Sequence, residues 1–157
     1  MSNTLLSEIE KVLIETHMWL KQYARKQPLS EDLCAKSLRG FCAVGASKLF
    51  SNLIENGFNA KIVMAEKGNH AHFFVKLNGC VLDVTATQFG QEEIVCIPAK
   101  SVRKNEWYWN AKFQFESPQE VHEVQLYEDW PKAQVIPKEL AETLTIKKKE
   151  KNPPRFF

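Results

Sequence analysis

Residues 70–83, which read HAHFFVKLNGCVLD, contain the strongest local structural signal in this sequence. Asn78-Gly79 favours a type I′ turn, because both central residues of that turn need a positive φ. The residues on either side are mostly apolar and β-prone, so we predict strands over 70–77 and 80–84. The stretch therefore predicts a tight antiparallel hairpin, around which the other elements can be placed.

The turn also sets the register of the predicted hairpin. If the two residues that flank the turn pair, Phe74 lies opposite Asp83, and His72 is the diagonal neighbour of Asp83 on the same face. His70 shares that face but lies two residues further away. We therefore predict a side-chain hydrogen bond between His72 and Asp83.

Helical patterns precede the hairpin. Residues 4–25 form an amphipathic helix that ends before Pro28, with apolar positions at Leu5, Ile9, Val12, Leu13, Met18 and Leu20. Ser30-Glu31-Asp32 is a candidate N-terminal cap for a short second helix, which Gly40 interrupts. A third helix begins at about Cys42 and ends at Asn56-Gly57, a pair typical of a left-handed C-terminal cap.

Further strands are predicted over 58–65, over 93–97 before Pro98, and over 107–115, where WYWNAKFQF alternates. From residue 117 onward the sequence mixes helical and loop signals and gives no order of elements. Helices come first and strands follow. The fold class predicted is α+β, with N-terminal helices packed on a mostly antiparallel sheet.

The composition is that of one globular domain. The chain has 157 residues, of which 44% are hydrophobic and 25% charged. No apolar run approaches the roughly 20 residues that cross a bilayer. Glu8 and Glu10 interrupt the segment where a secretory signal would be apolar. We expect a cytoplasmic protein without a membrane partner.

The positive charge is concentrated at the C-terminus. Residues 147–157 carry +4, whereas the net charge of the chain is +2, so residues 1–146 carry −2. The body is therefore not expected to bind nucleic acid. We predict a single catalytic domain over 1–146 and a basic, flexible tail over 147–157.

The cysteines are best considered one at a time. No C-x-x-C pair occurs among the four cysteines, which are Cys34, Cys42, Cys80 and Cys96. Neither a disulfide framework nor a zinc site is therefore indicated. Cys42 stands at the predicted start of a helix, where free backbone N–H groups and the helix dipole favour a thiolate. The same amides can donate to an oxyanion that forms on an attacked carbonyl.

A cysteine at a helix start, with a histidine and an acid on adjacent strands, suits thiol acyl transfer. The imidazole takes the thiol proton and later protonates the leaving amine, while the carboxylate orients the ring. Cys42, His72 and Asp83 are the candidates for these three roles. Each has a structural alternative, as a packing cysteine, a polar strand residue and a turn residue.

The same residues carry a resemblance to a known superfamily. Their order is Gly40-x-Cys42 with Ala46-Ser47, then His72-Phe-Phe-Val-Lys, then Asp83-Val-Thr85-Ala86-Thr-Gln88-Phe89. Residues 36–90 thereby resemble the papain-like, transglutaminase-like cysteine enzymes. The resemblance implies a papain-like core with Cys42 as nucleophile, His72 as general base and acid, and Asp83 as the orienting acid.

Two positions depart from that resemblance. Phe74 stands where many members have Trp, and Lys36 stands where the papain branch has the Gln of its oxyanion hole. Gln88 is a candidate structural or substrate-positioning residue. Trp107 and Trp109 are candidates for lining a substrate groove, or alternatively for packing a strand against the first helix.

Several functions remain open from the sequence. The preferred one is a cysteine-dependent amide hydrolase, of peptidase or glutamine deamidase type, that needs no cofactor and acts on a protein or peptide. Transfer of the acyl group to an amine, as in a transglutaminase, and a non-catalytic binding module on the same fold are the alternatives. A metal site of His70, His72 and Asp83 is a further one.

Overall fold

The computed structural model describes residues 3–28, 33–36, 38–68, 70–86, 94–103 and 107–142. The helices are α1 (Asn3–Lys26), α2 (Cys42–Glu55) and α3 (Pro118–Tyr127), and residues 138–142 are also helical. The strands are β1 (Ala60–Lys67), β2 (His70–Leu77), β3 (Cys80–Asp83), β4 (Val95–Pro98) and β5 (Ala111–Phe115). The α+β class predicted from the sequence is therefore confirmed.

The five strands form one antiparallel sheet in the order β4-β3-β2-β1-β5. Leu77 pairs with Cys80 across the β2–β3 turn, so the predicted register is confirmed. Asn78 and Gly79 have φ values of 49° and 76°, as a type I′ turn requires. The hairpin is thus specified by its own two turn residues.

The two faces of the sheet are covered differently. The helical layer of α1 and α2 packs on one face and forms the main core with Ile62, Phe73 and Leu82. Alternate residues of the same strands point to the other face, where Phe74 and Val81 belong to a smaller apolar cluster. The sheet is therefore buried on both sides at its centre.

Helix α2 lies at the middle of the main core, and ten of its fourteen residues are buried. Gly45 is one of them, and it allows the helix to approach its neighbours closely. A Cβ added there would lie 2.8 Å from Leu20 of α1 and 3.1 Å from Thr85. The small residue thus brings α2, α1 and the chain just after β3 into direct contact.

The first helix was predicted with one position on the wrong face. Met18 is 57% exposed, whereas Ile9, Leu13 and Leu20 are buried. At about 100° per residue, Met18 lies roughly 180° from Ile9 around the helix, and Thr16 and His17 take part in the buried face instead. Both side chains bond to backbone carbonyls: the Thr16 hydroxyl donates to the Val12 carbonyl, and His17 Nδ1 donates to the Val84 carbonyl.

Two element predictions need correction. Residues 33–36 and 38–40 form turns and a bridge between Cys34 and Arg39, so the described part of the predicted second helix is not helical. The strand predicted over 107–115 begins only at Ala111, because Trp107–Asn110 is a 3-10 turn that packs on β1. The proposed cap at 30–32 and the tail at 147–157 lie outside the described residues.

Candidate active site

The β2–β3 hairpin brings His72 and Asp83 into direct contact. His72 Nε2 lies 2.7 Å from Asp83 Oδ2, and both side chains are almost fully buried. The last pair that the two strands form is Val75 with Leu82, which leaves Asp83 at the end of β3, one step diagonal to His72. The contact expected from the hairpin register is present.

The other donors around Asp83 hold the carboxylate from two sides. The Thr85 backbone N–H and hydroxyl donate to Oδ1 over 2.8 and 3.0 Å. The Tyr108 hydroxyl donates to Oδ2 over 2.7 Å, so this oxygen is shared with His72. Burial favours the neutral acid, but the charge of His72 and these hydrogen bonds outweigh it, and the pKa of Asp83 is lowered.

Cys42 is the first residue of α2, so its side chain approaches His72 from this helix and not from the sheet. The chain enters the helix through a turn in which Leu38 and Gly40 have φ values of 60° and 90°. Leu38 is fully buried and its carbonyl accepts from the Phe41 N–H, so packing holds this uncommon conformation. Cys42 itself is 7% exposed, and its side chain is hydrogen-bonded to His72.

The contacts divide the two ring nitrogens of His72 between two partners. Nε2 is engaged by Asp83, so Nδ1 is the ring nitrogen that remains to donate to the Cys42 sulfur. Burial by itself would lower the pKa of His72, but the charge and hydrogen bond of Asp83, together with Cys42, raise it to about 10. The imidazole is therefore protonated at neutral pH and forms a buried ion pair with Asp83.

The start of α2 supplies further polar groups beside the thiol. The N-cap residue Phe41 makes no side-chain capping bond, and the Gly45 N–H donates to its carbonyl in the first helical turn. The backbone N–H groups of residues 42–44 precede that first bond and lie at the positive end of the helix dipole. This end of the helix suits a developing negative charge next to Cys42.

Three aromatic rings surround the imidazole. The centroids of Phe74, Trp107 and Tyr108 lie 6.2, 6.0 and 6.2 Å from that of His72. The ring of Phe74 is stacked with the imidazole at an interplanar angle of 22°. The imidazole is therefore enclosed by aromatic rings on the side of the smaller apolar cluster.

The two tryptophans singled out from the sequence occupy different places. Trp107 contacts His72 and packs with the smaller apolar cluster, whereas the first helix belongs to the main core on the other face of the sheet. Trp109 is 53% exposed and lines a groove of about 270 Å³ together with Tyr108, Lys76 and Val102. Gln88 lies outside the described residues.

Tyr108 is the site residue that sequence reasoning missed. It is 4% exposed and stands between the two tryptophans in the 3-10 turn. The alternation of WYWN imitates a strand, in which Tyr108 would lie on the face opposite to both neighbours. The available signal was that one aromatic of the three carries a hydroxyl, which usually finds a polar partner when it is buried.

The metal-site alternative is not supported by the geometry. His70 is exposed at the start of β2, while His72 and Asp83 bond each other. Within the described ranges, no three His, Cys, Asp or Glu side chains are grouped so that they could hold a metal ion. None of the four cysteines, all of which lie in the described ranges, forms a disulfide, and Cys42 is the most buried of them.

Comparisons with known protein families, with curated proteins and with solved structures return no match. In the part of the chain that the structure describes, no helix combines the length and apolar character needed to cross a bilayer. Functional inference for this chain therefore depends on the contacts of Cys42, His72 and Asp83.

Proposed function

We propose that this chain is a cysteine-dependent amide hydrolase, of peptidase or protein glutamine deamidase type, built on a papain-like, transglutaminase-like core. The observation that carries the proposal is the buried series of hydrogen bonds that joins Cys42, His72 and Asp83. A nucleophile, a base within hydrogen-bond reach, and a third group that orients the base are the components of covalent acyl catalysis.

The protonation of His72 decides how the first step runs. In the proposed mechanism His72 carries the proton, so the imidazolium lies beside Cys42 as the counter-ion of the attacking sulfur. The thiolate Sγ attacks the carbonyl carbon of the amide and forms a tetrahedral oxyanion. The backbone N–H groups at the start of α2 are placed to stabilise that oxyanion.

The second step uses the proton that His72 holds. As the tetrahedral intermediate collapses, the C–N bond breaks and the leaving amine or ammonia takes the proton from the imidazole. A thioester remains on Cys42, and His72 is now neutral. It then accepts a proton from water as the water oxygen attacks the thioester. The C–S bond breaks, the carboxylic acid leaves, and Cys42 is again a thiolate beside the protonated His72.

Asp83 keeps its charge throughout this cycle. Four donor contacts, from His72, Tyr108 and two groups of Thr85, hold the ionised carboxylate in place. A carboxylate so placed fixes the imidazole with Nδ1 toward Cys42 and stabilises its positive charge. The proposed reaction uses these side chains and no cofactor, and its substrate is a protein or peptide that carries the amide.

The acceptor of the acyl group separates the hydrolase from a transglutaminase. Water gives hydrolysis, whereas a primary amine gives transfer, and both pass through the same thioester. We favour hydrolysis because no lysine-binding site can be recognised from the sequence. A non-catalytic binding module would keep the fold and leave Cys42 unreactive.

The first experiment measures the reactivity of each cysteine. The pH dependence of iodoacetamide labelling is read by peptide mass spectrometry in the native protein, in His72→Asn and in His70→Asn. Cys42 should label fastest below the ordinary thiol pKa of about 8.5, although Cys34, Cys80 and Cys96 are more exposed. His70 is the matched control, since it lies on the same strand and face but is exposed.

The outcomes separate the hypotheses. Loss of the Cys42 advantage in His72→Asn but not in His70→Asn supports the thiol mechanism. Equal labelling of Cys42 and Cys80 in the native protein contradicts it and favours the binding module. For a reactive Cys42, glutamine peptides then distinguish ammonia release, incorporation of a fluorescent amine, and cleavage of the peptide bond.

A further inference from the structure

Tyr108 is not one of the three proposed catalytic residues, but it contacts one of them, Asp83. The 3-10 turn Trp107–Asn110 carries it into the smaller apolar cluster, where it is 4% exposed. Its hydroxyl donates to Asp83 Oδ2 over 2.7 Å, and this is the same oxygen that accepts from His72 Nε2 at 2.7 Å. Two donors therefore share one carboxylate oxygen inside the protein.

The ring of Tyr108 is held independently of its hydroxyl. It meets Phe74 edge-on at a centroid distance of 4.9 Å, and it packs with Val63 and Val81. Because these contacts involve the ring alone, phenylalanine at this position can occupy the same space. The hydroxyl is thus an addition to a packed aromatic ring, and it donates to the Asp83 carboxylate.

We propose that Tyr108 is a positioning residue whose hydroxyl limits how strongly Asp83 holds the proton of His72. A donor on Oδ2 draws away part of the negative charge that the imidazolium experiences. The neighbouring oxygen Oδ1 is fixed by Thr85, so the carboxylate cannot compensate by rotation. His72 would therefore release its proton to a leaving amine more readily than a simple buried Asp–His pair allows.

The groups that face His72 and Asp83 are the other candidates for setting the proton affinity of the His72 imidazole. His72 contacts Asp83 at the end of β3, Cys42 at the start of α2, and the rings of Phe74 and Trp107. Among these, Cys42 and Asp83 belong to the proposed mechanism, and the two rings carry no titrating group. Tyr108, from the 3-10 turn Trp107–Asn110, is a further polar group that donates to the Asp83 carboxylate.

The catalytic consequence of this inference rests on the proposed function, but its effect on the imidazole does not. The test is therefore the titration of the His72 ring nitrogens by NMR in the native protein and in Tyr108→Phe. We expect Tyr108→Phe to raise the His72 pKa by about 0.5–1 unit, because the carboxylate loses a competing hydrogen bond. Trp109→Phe is the control, since Trp109 is in the same turn but 53% exposed.

A second replacement at Tyr108 should shift the His72 pKa in the opposite direction while it keeps the packing of the ring. Site-specific replacement of Tyr108 by 3-fluorotyrosine makes the hydroxyl a stronger donor, so the His72 pKa should fall. An unchanged titration in both forms, or an equal shift in Trp109→Phe, would overturn the proposal. If Cys42 proves unreactive while both shifts occur, the role of Tyr108 stands and the proposed enzymatic function fails.

Discussion

Replacing Asp83 by asparagine tests the buried ion pair most directly. An amide at this position offers one acceptor oxygen and one N–H₂ group, whereas the carboxylate accepts from Thr85 on one oxygen and from His72 and Tyr108 on the other. If the amide oxygen keeps the Thr85 contacts, the N–H₂ group faces the ring of His72. The imidazole then loses the charge and the hydrogen bond of Asp83, so burial lowers its pKa.

The structure gives the size of the effect. Folding raises the pKa of His72 from 6.5 to about 10, and burial without Asp83 would lower it instead. At about 1.4 kcal/mol per unit, this shift corresponds to roughly 5 kcal/mol of stabilisation at low pH. Because the folded pKa is the higher one, the stabilisation is complete below pH 6.5 and disappears as the pH rises through 10.

The assay is urea unfolding followed by tryptophan fluorescence at several pH values. At pH 7 we expect Asp83→Asn to lower the free energy of unfolding by about 3–4 kcal/mol, a value close to that for breaking a buried pair. By pH 10 the difference should shrink by about 3 kcal/mol, because the native protein is then losing the same proton. Asp129→Asn is the control, since Asp129 is exposed.

Two results would refute this reasoning. A loss below about 1 kcal/mol at pH 7 would mean that the pair contributes no more than a surface contact. A loss of constant size from pH 7 to pH 10 would mean that the amide acts through packing rather than through the charge of His72. A large effect of Asp129→Asn would point to a general response of the chain to charge removal.

Three further substitutions test how the site is held. Gly45→Ala should destabilise the protein by about 1 kcal/mol in urea unfolding although alanine favours helices, because its Cβ would lie 2.8 Å from Leu20 and 3.1 Å from Thr85; a rise in stability would show that α2 can move away. Gly79→Ala should lower the free energy of unfolding by about 1–2 kcal/mol, because φ is +76° at this position. No heavy atom lies within 4 Å of the added Cβ, so the loss comes from the backbone conformation alone. An unchanged melting temperature would contradict the type I′ turn. Met18→Gln should change stability by less than about 0.5 kcal/mol, since Met18 is 57% exposed, and a large loss would place it in the core after all.

Local signals predicted much of the fold. The hairpin register followed from Asn78-Gly79, because a two-residue turn fixes which residues pair on both sides of it. The start of α2 at Cys42 and its end before Gly57, which has a positive φ, were likewise visible from neighbouring residues. These features need no information about distant parts of the chain.

Local signals were misleading where a distant partner decided the conformation. The alternation of Trp107–Asn110 predicted a strand, but the segment forms a turn that brings the Tyr108 hydroxyl to Asp83. Helix α3 was not ordered from the sequence, although Ser117 caps it by accepting from the Glu120 N–H. A cap identifies where a helix can begin, but packing determines whether the helix forms.

The sequence by itself determined the α+β class, the hairpin that pairs His72 with Asp83, and the position of Cys42 at a helix start. These depend on turn chemistry and side-chain periodicity, which act over a few residues. Only the tertiary structure decided that Cys42 contacts the imidazole, that Tyr108 shares the carboxylate, and that the pKa of His72 is raised. Proton affinity in a buried site depends on every donor and charge around it, and here those groups come from distant parts of the chain.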